Sequence, residues 1–120
     1  MQNPYEVYLK NQDTVNSQEE LLLKTFENIL AKLDFVKMAI EEQQIEVKAR
    51  EIGKLIDVLE IMRNSLDFEH GREVAKNLDA IYAFCIDELI KANATNDHAY
   101  IQNVKEILLP IKEGFEQVAK

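Results

Sequence analysis

Apolar residues recur along this chain at helical spacing in four blocks separated by short polar interruptions. In the first block Leu22, Phe26, Ile29, Leu33, Val36 and Ile40 alternate steps of four and three residues, the period of one helix face. Ser17 followed by Glu20 is a capping-box pair. A helix is therefore predicted over about 18–42, behind a polar leader at 1–16. The second block predicts a helix over 45–66 with Ile45, Ala49, Ile52, Ile56, Leu59 and Leu66 inward. Gly53 lies inside it, and either a close helix crossing or simple tolerance accounts for a glycine there.

The segment from Asp67 to Gly71 reads as a turn. A third helix over about 72–92 turns Val74, Leu78, Ile81, Tyr82, Cys85 and Leu89 inward and ends near Asn93, a residue type that tolerates the left-handed conformation. Thr95 or Asn96 caps a fourth helix over about 97–119, whose stripe is Tyr100, Val104, Ile107, Leu108, Ile111, Phe115 and Val118. Pro110 falls within it, facing outward, where a missing backbone donor should kink or break the rod. Short connections favour antiparallel neighbours. The expected fold is a single all-α domain over 1–120, an up-down-up-down four-helix bundle with a short N-terminal leader.

Three of these helices carry more apolar surface than one core face needs. Ala31, Phe35 and Met38 lie opposite the core stripe of the first helix, and Val47, Val58 and Ile61 opposite that of the second. Ala80, Ala83, Phe84 and Ile90 do so on the third, where the run Ala80 to Ile86 is apolar throughout. A helix apolar on all sides needs cover on all sides. The surplus predicts either a second copy of the chain or a groove for an amphipathic partner segment. In the leader, Tyr5, Val7 and Tyr8 are apolar enough to lie in such a groove, while Pro4 and the polar stretch behind them disfavour a continuous helix.

Composition narrows the partners. The net charge of −8 disfavours nucleic acid, which requires a basic patch, and an anionic membrane surface. No apolar run approaches the roughly 18 residues of a membrane span, and no signal peptide is visible. The single Cys85 excludes an internal disulfide and fits a reducing compartment such as the cytosol. Catalytic chemistry has little to build on. His70 and His98 are expected in exposed turns, and Asp67 with His70 is one carboxylate–histidine pair where a di-iron bundle needs two on helices. No metal, cofactor or catalytic residue is expected.

The stretch Ser65-Leu66-Asp67-Phe68-Glu69-His70-Gly71-Arg72-Glu73-Val74-Ala75-Lys76-Asn77-Leu78 is followed by Ile81-Tyr82, by Leu89-Ile90-Lys91-Ala92-Asn93 and by Asn96-Asp97. That order resembles the FliS family of flagellar secretion chaperones, with its Ser-Leu-Asp turn, glycine pair, Ala-x-Asn-Leu helix start and Leu-Tyr step. Tyr8, Asn11 and Ser17 resemble its leader, and Ile111-Lys112-Glu113-Gly114-Phe115 its C-terminal motif. Arg72 stands where the family has a second glycine, Gln18 a proline, Phe26 a tyrosine and Phe115 a tryptophan.

The resemblance implies a four-helix bundle that holds the disordered C-terminal segment of flagellin in the cytoplasm. It would prevent premature polymerisation and deliver the segment to the type III export gate, with an anti-sigma factor as a further contact. It also implies that the leader, with Tyr5, Val7 and Tyr8, covers part of the client site as a placeholder. The free chain is then expected to be a monomer or weak homodimer. The competing expectation is a non-catalytic homodimeric structural or adaptor bundle without a flagellin client.

Overall fold

In the computed structural model, backbone is described for residues 4–119 and side chains for residues 20–117. Four helices follow one another: α1 (Pro4–Glu41), α2 (Ile45–Asn64), α3 (Phe68–Thr95) and α4 (Ala99–Ala119). Helix α1 packs on α2 and α4, and α3 packs on the same two. Among the described residues the backbones of the diagonal pairs α1 and α3, and α2 and α4, do not approach each other, and these pairs meet only through core side chains. The bundle is four-cornered, with up-down-up-down order as expected.

The core is built from the predicted stripes. Phe26, Ile29, Leu33, Val36 and Ile40 of α1 meet Ile52 and Leu59 of α2, Tyr82, Cys85 and Leu89 of α3, and Val104 and Leu108 of α4, all buried. Leu55, Ile86, Ala92 and Ile101 join them. A polar bridge ties each adjacent pair and fixes its height. Lys32 Nζ lies 2.8 Å from Glu51 Oε2 between α1 and α2. Arg63 Nε donates to Asp79 Oδ1 at 3.0 Å between α2 and α3. Asn103 Nδ2 donates to Glu88 Oε2 at 2.9 Å between α4 and α3, and Lys105 Nζ to Asp34 Oδ1 at 2.8 Å between α4 and α1.

Several expectations are corrected. Helix α1 spans Pro4–Glu41 and so runs through Ser17, which therefore does not cap it. It ends in a Schellman motif: Gln43 is left-handed at φ 60, with Gln44 N–H donating to Ala39 O at 2.8 Å and Gln43 N–H to Ile40 O at 3.1 Å, which satisfies otherwise free carbonyls. Ile45 and Ala49 are exposed, and Lys48 and Glu51 are buried in their place. Polar bridging to neighbouring helices overrides the hydrophobic stripe there. Gly53 has no neighbouring atom where a Cβ would stand, so no close crossing explains it.

Residues 68–71 are a helical turn rather than a loop. Asp67 caps it, its Oδ1 accepting from His70 N–H at 3.1 Å. The turn joins the rest of α3 across a kink at Arg72, whose φ of 45 and ψ of −115 are not helical. Val74, expected in the core, is 66% exposed. Arg63, in the last turn of α2, already pairs with Asp79, so Val74 lies beyond the end of α2. Helix α3 ends a turn later than expected, with Asn96 left-handed at φ 58 in the role assigned to Asn93. Asp97 caps α4 in place of Thr95 or Asn96, its Oδ1 accepting from Ala99 N–H at 2.9 Å. Helix α4 continues through Pro110, which is exposed and does not break it.

Candidate functional site

Where α2 ends, the core loses its cover on one side. Leu22, Met62, Leu66, Leu78 and Phe115 are half-buried against the core, and together with Leu21, Val58 and Ile61 they wall an open groove of about 510 Å³. Its surface is overwhelmingly carbon. Thr25 and Ser65 bring hydroxyls to its rim, but each donates to a carbonyl four residues back in its own helix, Leu21 O and Ile61 O, both at 2.8 Å. Their hydrogen bonds are therefore spent locally. Tyr82 forms part of the floor, and burial pushes its hydroxyl up to about 12. The groove offers no acid, base or nucleophile; it offers apolar contact.

A second, smaller hollow of about 220 Å³ continues from it along the seam of α1 and α2. The two share Thr25 and Val58. Ile29 and Leu55 form its floor, and Lys32 and Lys54 stand on opposite walls.

The predicted partner-binding residues divide between this trough and the outer faces. Val58 and Ile61 line the groove, with Ile61 64% exposed. Ala31, Phe35 and Met38 are exposed on α1, as are Ala80, Phe84 and Ile90 on α3, while Ala83 is half-buried. Because α1 and α3 occupy diagonal corners, their outer faces point away from each other. The structure thus brings Val58 and Ile61 together and leaves the α1 and α3 groups as separate patches. The side chains of Tyr5, Val7 and Tyr8 lie outside the described residues. Leu21, Thr25 and Met62 complete the groove without a reading from the sequence, and Ser65 stood there only as part of the Ser-Leu-Asp turn.

The remaining candidate chemistry is structural. His70 Nδ1 lies 2.7 Å from Asp67 Oδ2, both exposed. The hydrogen bonds from the His70 backbone and ring hold the Asp67 carboxyl below its ordinary range. Cys85 is fully buried and its thiol is pushed up to about 12 by burial. Among the described residues no cluster of three metal-ligating side chains occurs, and no helix is long and apolar enough to cross a membrane.

Comparison with known proteins agrees with this picture. Residues 1–120 match the family model described as "Flagellar protein FliS". A flagellar secretion chaperone FliSB of Pseudomonas aeruginosa is 37% identical over 90 residues, 75% of this chain and 71% of that protein. The FliS of Vibrio cholerae is 35% identical over 82 residues, 68% of this chain and 60% of that protein. The FliS of Campylobacter jejuni is 30% identical over 120 residues, 98% of this chain and 94% of that protein. A four-helix bundle with an apolar groove and no catalytic apparatus within it, matched along its length, belongs to the non-catalytic FliS family of flagellar secretion chaperones.

Proposed function

We propose that this chain is the cytoplasmic chaperone of a flagellin, holding its disordered C-terminal segment until type III export and so preventing premature polymerisation. The observation that carries the proposal is the apolar groove of about 510 Å³ beside Ile61. An amphipathic helix laid into such a groove gains roughly 1.5–3 kcal/mol for each large apolar side chain it buries. A client without structure of its own can also wrap widely separated faces. The patches of Ala31, Phe35 and Met38 on α1 and of Ala80, Ala83, Phe84 and Ile90 on α3 then serve as further stations of the same client. Tyr5, Val7 and Tyr8 of the leader act as a placeholder that the client displaces. An export-gate component and an anti-sigma factor are further partners of this reading, and the free chain is a monomer or weak homodimer.

Titration calorimetry with a flagellin C-terminal peptide tests it. Binding at low micromolar concentration or below is expected, weakened by Ile61→Asp, Phe35→Asp and Phe84→Asp with helicity retained, because a buried charge costs far more in the complex than at an exposed position. Absence of binding, together with a stable dimer that the peptide neither splits nor joins, would assign the same faces to a second copy.

A further inference from the structure

The hollow between α1 and α2 is bordered by a cluster of cations. Three cations surround the single carboxylate of Glu51: Lys32 Nζ at 2.8 Å, Arg50 Nε at 3.5 Å and Lys54 Nζ at 3.7 Å. The Lys32 ammonium beside it holds the Glu51 carboxyl below its ordinary range. This carboxylate therefore stays ionised, and it answers one of the three positive charges. In a protein of net charge −8, a cluster of cations at the mouth of a groove has the opposite sign to the chain as a whole. Lys54 pairs with no other carboxylate among the described residues, and its side chain remains 57% exposed.

The position of this surplus matters as much as its sign. Lys32 and Lys54 face each other across the seam, with Ile29 and Leu55 beneath them. Thr25 and Val58 connect this hollow to the apolar groove. From Thr25 to Lys32 the trough advances about 10 Å at the α-helical rise per residue. We infer that the trough between α1 and α2 reads a bipartite segment: an apolar face seated beside Ile61 and Met62, and about two helical turns away a carboxylate that pairs with Lys54, assisted by Lys32. The occupant is an amphipathic helix with an acidic residue at the edge of its apolar face. This rests on the client reading above and adds its polarity: the apolar end lies toward the α2–α3 turn and the acidic end toward the middle of the bundle.

The test uses the full chain, the flagellin C-terminal peptide and a set of peptides with single Asp→Asn or Glu→Gln changes. Lys54→Gln should weaken binding roughly two- to fivefold, the range of an exposed ion pair, and Lys54→Glu by more. Lys76→Gln, which removes the same charge from α3 away from the trough, should leave affinity within error. One peptide acid should lose its own effect in the Lys54→Gln background, and lysine at that position should restore binding to Lys54→Glu. Equal effects of Lys54→Gln and Lys76→Gln, or additive losses at every peptide acid, would overturn the inference. If Ile61→Asp abolishes binding while Lys54 variants bind normally, the client reading survives and the acidic contact falls. If the peptide does not bind the unaltered chain, both fall.

Discussion

The rings of Phe26 on α1 and Phe115 on α4 lie with centroids 5.6 Å apart and planes tilted by 36°. Phe26 is fully buried and Phe115 half-buried, with its other side on the apolar groove. These are the two positions at which the chain carries phenylalanine where the family pattern has tyrosine and tryptophan. The two departures therefore sit in contact, and one ring supports the other at the open end of the core.

Phe115→Ala should lower stability by about 2 kcal/mol, somewhat below the cost of removing a fully buried ring, and it should widen the groove. Denaturant unfolding measures the first effect. Phe26→Tyr alone should also destabilise, by about 1–3 kcal/mol, because its hydroxyl would enter a site that now holds only a hydrocarbon ring. A tyrosine variant as stable as the parent would mean that the α1–α4 contact opens readily to water.

Lys48 is a second case in which a polar group holds two helices together. It is 3% exposed, and its ammonium donates to the Asn93 carbonyl at 2.9 Å and to Oδ1 of Asn96. A cation at the carboxyl end of α3 complements the helix dipole, and the bond to Asn96 supports that residue's left-handed backbone. Lys48→Met keeps the aliphatic stem but leaves the carbonyl and the amide oxygen without this partner. A loss of about 1–3 kcal/mol is expected, read by thermal unfolding. Hydrogen exchange should quicken first at the α3–α4 connection.

Arg72 takes a positive φ of 45 with ψ of −115, a region that a side chain makes costly and glycine does not. Strain of this kind amounts to about 1–3 kcal/mol, whereas glycine's added freedom in the unfolded chain gives back about 0.5–1. Arg72→Gly should therefore raise stability by about 1 kcal/mol, seen as a higher Tm. Arg72→Ala should do little, since it removes the charge and keeps the Cβ. The glycine pair of the family pattern has its physical reason at this kink.

What the sequence disclosed and what it hid divide along a physical line. The stripe from Phe26 to Ile40 is legible because every inward residue is apolar and in step. Helix α2 misleads because Lys48 and Glu51 face inward, and a period read from hydrophobicity assigns such residues to the surface. The apolar surplus at Phe35, Ile61 and Phe84 was legible as exposure. That Ile61 lines the apolar groove while Phe35 and Phe84 lie outside it was hidden. The groove exists because α2 stops at Asn64 while Leu78 and Phe115 need cover, and relative helix height is set by bridges such as Arg63 to Asp79. Those contacts join residues far apart in sequence with no local signal.

Acid should loosen the α1–α2 seam first. In the folded protein, the Lys32 ammonium paired with Glu51 holds its carboxyl below its ordinary value of 4.5, with further help from the charge of Lys54. A carboxyl with a lowered folded value binds protons more readily when unfolded. Its contribution is therefore fully present above the ordinary value and is lost as pH falls below it, through the folded value. Urea unfolding between neutral pH and pH 3 should show stability declining below about pH 4.5. Glu51→Gln should be less stable than the parent at neutral pH, and the gap should narrow in acid, because the parent has then lost the same charge. Asp67, held low by its hydrogen bonds from His70, contributes with the same sign at the start of α3, so Asp67→Asn supplies an independent comparison. A gap between parent and Glu51→Gln that stays constant from pH 7 to pH 3 would show that the carboxylate's charge does not secure the seam.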